Sequence, residues 1–182
     1  ELFSRIHGMS KSEAGVSFGT IVLIAGSFGV MFGAWLASQF DKRGHTDSYV
    51  RAIFLTTLIA IPLMVAAPLT GSAEWNLILL WPGMAMAGSF LGVLAVSIVV
   101  ITPNEMRGQV TAVYLFVTNI LGMAIGTTVL AALTDFFFKD DNLLHYSVAT
   151  VCALFYPLAA VFFWFSMPAY RDAMEEVGKW EI

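Results

Sequence analysis

Apolar residues run along this chain in five blocks, and every Asp, Glu, Lys and Arg falls in the gaps between them. The blocks are Ala14–Phe40, Ala52–Leu69, Asn76–Ile101, Val110–Thr134 and Tyr146–Met167, of 27, 18, 26, 25 and 22 residues. A helix rises about 1.5 Å per residue and needs roughly 20 apolar residues to cross the hydrocarbon of a bilayer. An ionic side chain at the centre of such a helix costs on the order of 2.5–3.5 kcal/mol. A water-soluble domain spreads its charges along helix faces; this chain confines them to short connections. The pattern predicts an all-α, polytopic transmembrane bundle of five spans. An external loop over 1–13 precedes it and a cytoplasmic tail over 168–182 follows.

Composition agrees: 58% of residues are hydrophobic and 12% charged, against about 25% charged in soluble domains. No basic patch points to nucleic acid, and the lone Cys152 has no partner for an intrachain disulfide. The opening residues read as a loop entering a helix already under way, so the chain is expected to be a fragment lacking at least one upstream helix.

The connections Asp41–Arg51, Thr70–Trp75, Thr102–Gln109 and Asp135–His145 are short enough to make successive helices antiparallel. Lys42, Arg43, Arg51, Arg107, Arg171 and Lys179 then share one face of the membrane, and Arg5, Lys11 and Lys139 the other. Basic residues favour the cytoplasmic side. The six-to-three division therefore predicts a cytoplasmic C-terminus.

Lipid tails give helices no hydrophobic reason to associate, so small residues that let backbones approach mark the interfaces. Gly26, Gly29 and Gly33 in the first span, Gly88 and Gly92 in the third, and the Gly122/Gly126 pair in the fourth are the packing candidates. Spans one, three and four are expected at the centre of the bundle. Spans two and five lack glycine, and the fifth carries Phe162, Phe163, Trp164 and Phe165; both are expected at the periphery. Pro62, Pro68, Pro82 and Pro157 are candidate bends.

Three segments resemble the C-terminal half of a major facilitator superfamily transporter, in particular spinster-like or related bacterial members. They are RIHGMSKSEAGVSFGTI, the run Gly33–Leu36 followed by the basic turn DKRG, and TPNEMRGQVTAVYLFVTNILGMAIG. The resemblance implies that the five spans are the last five of twelve helices, working with a missing N-terminal half of the same transporter. It also implies alternating access to a small-molecule site near the membrane midplane, in a bacterial inner (plasma) membrane. Where the family's motif has Asp then Arg, this chain has Ser38 and Gln39, with Asp41 and Lys42 three residues on; Thr127 stands where a Pro is expected after Gly126.

Polar residues at membrane depth are the candidates for contact with substrate. Asn119 and its neighbour Thr118 lie in the fourth span, Ser27 in the first and Ser89 in the third. An amide in hydrocarbon needs a partner, so Asn119 either lines a cavity or makes an interhelical hydrogen bond. Each serine either does the same or bonds back to its own helix. Asp41, Lys42, Arg43 and Arg107 are gating candidates, though Arg107 reads first as a positive-inside topology determinant. No Asp, Glu or His lies within a span, so no titrating group for proton coupling is expected here. No His lies at membrane depth to pair with a serine, and HExxH and CxxC are absent from the sequence, so no enzyme, cofactor or metal site is expected. Two functions remain: part of a secondary active or facilitative transporter of small or amphipathic molecules, or a non-transporting helical subunit or scaffold of a larger complex.

Overall fold

The structure, a computed structural model, describes residues 11–70, 72–122, 126–132 and 144–180. These residues form α1 (Lys11–Lys42), α2 (Ser48–Leu69), α3 (Ala73–Val100), a 3-10 turn over Asn104–Met106, α4 (Arg107–Ile120), α5 (Gly126–Ala132) and α6 (Leu144–Trp180). Among the described residues there is no β-strand. Within α1, α2, α3 and α6 lie stretches long and apolar enough to cross a membrane: Gly15–Lys42, Ser48–Leu69, Glu74–Val100 and His145–Val177.

Helix boundaries depart from the sequence pattern where polar residues join a helix rather than a loop. Asp41 and Lys42 complete the last turn of α1, and Arg51 sits in the first turn of α2. The short turn between them is made by Gly44, at φ 80°, whose amide donates to the Asp41 carbonyl while the His45 amide donates to that of Phe40. Residues 168–180, expected as tail, continue α6 through Pro168. The fourth block is not one regular helix: α4 passes into a π-turn at Leu121 and Gly122, and α5 is described separately. The expected external loop 1–13 up to residue 10, and most of the Asp135–His145 connection, lie outside the described residues.

Packing follows small side chains. Alanine makes up eight of the fifteen buried apolar residues described, as close helix approach without a hydrophobic drive requires. The tightest seam joins α1 to α3. A Cβ placed at Gly29 would overlap the Ala85 carbonyl, and one at Gly88 the Gly26 carbonyl. At Gly33 it would lie 2.8 Å from Val93 Cγ2, and at Gly92 2.8 Å from Val30 Cγ1. Ser89 Oγ donates across the seam to the Gly29 carbonyl at 2.6 Å.

The expected division into central and peripheral spans needs correcting. The glycine-free α2 is the most buried of the four long helices and packs against both α3 and α6. It reaches its neighbours through Ala52, Ala60 and Ala67 and through Thr56 and Thr57, whose hydroxyls bond back to their own helix. Alanine and self-satisfied threonine do there what glycine does elsewhere. By contrast α4 has no buried residue, and no described residue lies within 4 Å of a Cβ placed at Gly122 or Gly126. α6 exposes Phe162, Trp164 and Phe165 but turns Phe163 inward, edge-on to Phe90 at 5.6 Å between ring centres.

Candidate functional site

The bundle end that carries the α1–α2 turn gathers most of its ionic groups. Asp47 precedes α2 and is 1% exposed. Arg51 Nε, one turn on, donates to Asp47 Oδ1 at 2.6 Å; Arg171 Nε, from α6, donates to Oδ2 at 2.8 Å. Burial pushes the Asp47 carboxyl upward, but the bonds and charges of Arg51 and Arg171 outweigh it, and the net displacement is below the usual carboxylate value. Nearby, Tyr170 Oη donates to the Ser97 carbonyl at 3.1 Å and ties α6 to α3. Arg51 and Arg171 were assigned to one membrane face from their loops; that they converge on Asp47 was not anticipated. The i, i+4 spacing of Asp47 and Arg51 was available as a signal. The contact spanning 124 positions to Arg171 was not.

Beside this cluster, a cleft of about 330 Å³ opens between α1, the start of α2 and α3, lined in part by Ser38, Asp41, Ser48, Tyr49 and Val96. Of the gating candidates, only Asp41 lines it. Lys42 and Arg43 are exposed, and Arg107 is exposed with its Nε bonded to the Thr102 carbonyl at 3.1 Å. Among the described residues, none of these four makes an ion pair.

The candidates for contact with substrate do not converge. Ser89 is fully buried in the α1–α3 seam and bonds backbone carbonyls there. Ser27 is exposed on α1. Thr118 Oγ1 donates to the Tyr114 carbonyl at 2.8 Å, and Asn119 Nδ2 to the Leu115 carbonyl at 2.7 Å, both within α4. Asn119 is thus satisfied by its own helix and exposed on its surface. Small and polar residues nevertheless interrupt the exposed apolar surface in two places. On α1, Gly15, Gly19 and Ser27 are exposed on an i, i+4 row that Leu23 and Met31 share, and on α4, outside the membrane-length stretches, Asn119 and Gly122 are exposed one turn apart. Elsewhere the surface is bulky and apolar, as at Leu154, Phe162 and Phe165.

No group of three or more His, Cys, Asp or Glu among the described residues is placed to hold a metal ion. The site's chemistry is that of hydroxyls, one amide and a surface ion cluster. Four membrane-length apolar helices packed through small residues define an integral membrane protein. No family model, curated protein or solved structure matches the chain.

Proposed function

We propose that the chain is part of a secondary active or facilitative transporter of small or amphipathic molecules, working by alternating access and resembling a major facilitator. In this reading α1 and α4 present one wall of a central path, with further helices of the same transporter opposite. The observation that carries it is the exposure of small and polar residues on otherwise apolar helices, Gly15, Gly19 and Ser27 among Leu23 and Met31 on α1, and Asn119 and Gly122 on α4. Lipid neither requires nor rewards such positions, whereas a water-filled path or a moving helix partner does. The rigid α1–α3 seam would carry the α1 residues as one body, and the cleft at Asp41 would lie at the cytoplasmic mouth.

A non-transporting subunit is the second reading. It is favoured by the fact that Ser89, Thr118 and Asn119 already spend their donors on backbone carbonyls.

Cysteine accessibility separates the two. On a Cys152→Ala background, Ser27→Cys and Asn119→Cys are probed with a membrane-impermeant maleimide from each side of the membrane in the full transporter. Transport predicts that both react, and that substrate or inhibitor shifts labelling from one side to the other. Two thiols inert from both sides, with no flux in proteoliposomes, would exclude alternating access along these helices.

A further inference from the structure

A second groove, of about 310 Å³, lies at the Asp47 end between α2 and α6. Arg51 and Arg171 stand at its rim, and Phe54, Leu55, Trp164 and Pro168 line its body. We infer that this groove binds the phosphate headgroup and upper acyl chain of an anionic phospholipid, held laterally between α2 and α6.

The geometry supplies each part. Both guanidiniums use Nε on Asp47, which fixes their orientation, while their terminal nitrogens bond no described residue. An arginine has five N–H donors, and a phosphate accepts several at once. Two guanidiniums against one carboxylate leave a net positive charge facing the groove. The Arg51 and Arg171 side chains are 32% and 45% exposed, so they are reachable from outside, whereas Asp47 is sealed behind them at 1%.

Below the rim the lining becomes apolar. Phe54 and Trp164 have ring centres 5.4 Å apart, and Trp164 and Leu55 are exposed on the outer surface of the bundle. Trp164 precedes Arg171 by seven residues on one helix, about 10 Å deeper along its axis. A charged rim with an aromatic wall one headgroup's depth below it matches the profile of a phospholipid, not that of a soluble anion. The volume lies at the lower end of small-molecule sites, roughly 300–1,000 Å³, which suits a headgroup with the chains left in the bilayer. The groove belongs to α2 and α6, neither of which carries a candidate for contact with the transported molecule. It is therefore a lateral site, and it stands whether or not the chain transports.

Trp164 provides the readout. The full chain is reconstituted in phosphatidylcholine vesicles containing a minor fraction of phosphatidylglycerol brominated on its acyl chains, or the same fraction of brominated phosphatidylcholine. The emission of Trp164 is taken as the difference between wild type and Trp164→Phe. Each basic residue near a membrane surface is worth roughly a fivefold gain in affinity for anionic lipid. With one net positive charge left after Asp47, the anionic quencher should outcompete the zwitterionic one by about fivefold, and Arg51→Gln/Arg171→Gln should abolish the preference.

Because the double variant also strips Asp47 of its partners, Asp47→Asn is run beside it. This variant keeps both guanidiniums and should keep or raise the preference. Equal quenching by the two lipids in wild type, or a preference surviving in a folded double variant, would overturn the site. Loss of the preference in Asp47→Asn with the helix content intact would do so as well, by making the arginines structural only. Displacement of the brominated lipid by millimolar inorganic phosphate or glycerol phosphate would reassign the groove to a soluble phosphate ligand.

Discussion

The α1–α3 seam and α4 carry the same glycine signal and end up in opposite environments. In the seam four glycines lie against the opposite helix: Gly88 against Gly26, Gly29 against Ala85, Gly33 against Ser89 and Gly92 against Val30. Among the described residues, Gly108 and Gly122 on α4 meet no side chain or backbone within reach of a Cβ, and the same is true of Gly126 on α5. A glycine row permits close approach but does not choose the partner. What fixes an interface is reciprocity between two rows, together with a hydrogen bond such as that from Ser89 to the Gly29 carbonyl, which makes the pairing specific.

The strongest way to break this comparison is to add volume on both sides of it. Gly29→Ile forces a branched side chain into the Ala85 backbone and should destabilise the bundle by about 3 kcal/mol, the upper range for overpacking. The same change at Gly122 should cost no more than roughly 0.5 kcal/mol, as for other surface substitutions. Thermal unfolding in detergent micelles, followed by far-ultraviolet circular dichroism, measures both. A loss at Gly122 as large as at Gly29 would mean that α4 has a tight partner.

Next in size is the ion cluster that pins α2 to α6. Removing one partner from a fully buried pair costs about 3–5 kcal/mol. Here the guanidiniums stay partly hydrated, so Asp47→Asn should cost about 1–3 kcal/mol after that discount. The sign of its pH dependence follows from the lowered carboxyl. Asp47 contributes stability above the unfolded carboxylate value, near 3.9. That contribution is lost as pH falls through the still lower folded value. Wild type should therefore lose its advantage over Asp47→Asn only in acid below about pH 4. An advantage that disappears near neutrality would implicate a different group.

Smaller again is Ser89→Ala. It deletes one interhelical hydrogen bond, for which about 0.6 kcal/mol is the typical membrane value and roughly 1.7 the upper end. The methyl fits where the hydroxyl was, so packing is unchanged. An unfolding shift well beyond that range would show that Ser89 does more than join α1 to α3.

How much of this was legible follows from what each residue has to respond to. The membrane-length helices were readable because the cost of burying an ion acts on each residue separately, whatever its neighbours. The glycine seam was half readable: the rows on α1 and α3 were visible, but the absence of a partner for the row on α4 was not. The burial of α2 was missed because Ala52, Ala60, Thr56 and Thr57 pack closely without glycine, and threonine hides its hydroxyl in its own helix. The Asp47–Arg51 step was readable at i, i+4. Arg171 joins it only after α2 and α6 have packed side by side, a tertiary fact. Of the site candidates, Ser89 resolved into helix packing, whereas Ser27, Thr118, Asn119 and Asp41 are on accessible surfaces.

Asn119 gives the smallest expected effect on stability and the finest cut between the two regions. Its amide bonds the Leu115 carbonyl within α4 and touches no other helix through a hydrogen bond among the described residues. Alanine is the better helix former by a few tenths of a kcal/mol, which offsets the loss of a weak local bond. Asn119→Ala should therefore unfold within about 0.5 kcal/mol of wild type, unlike Ser89→Ala, whose bond crosses helices. Substrate affinity in the reconstituted transporter is the other half of the measurement. If α4 lines the path, affinity changes several-fold with stability untouched, because the amide's remaining N–H and its oxygen face the path. If instead stability falls by 1 kcal/mol or more while affinity holds, Asn119 is bonding a helix outside the described bundle, and α4 belongs with the seam after all.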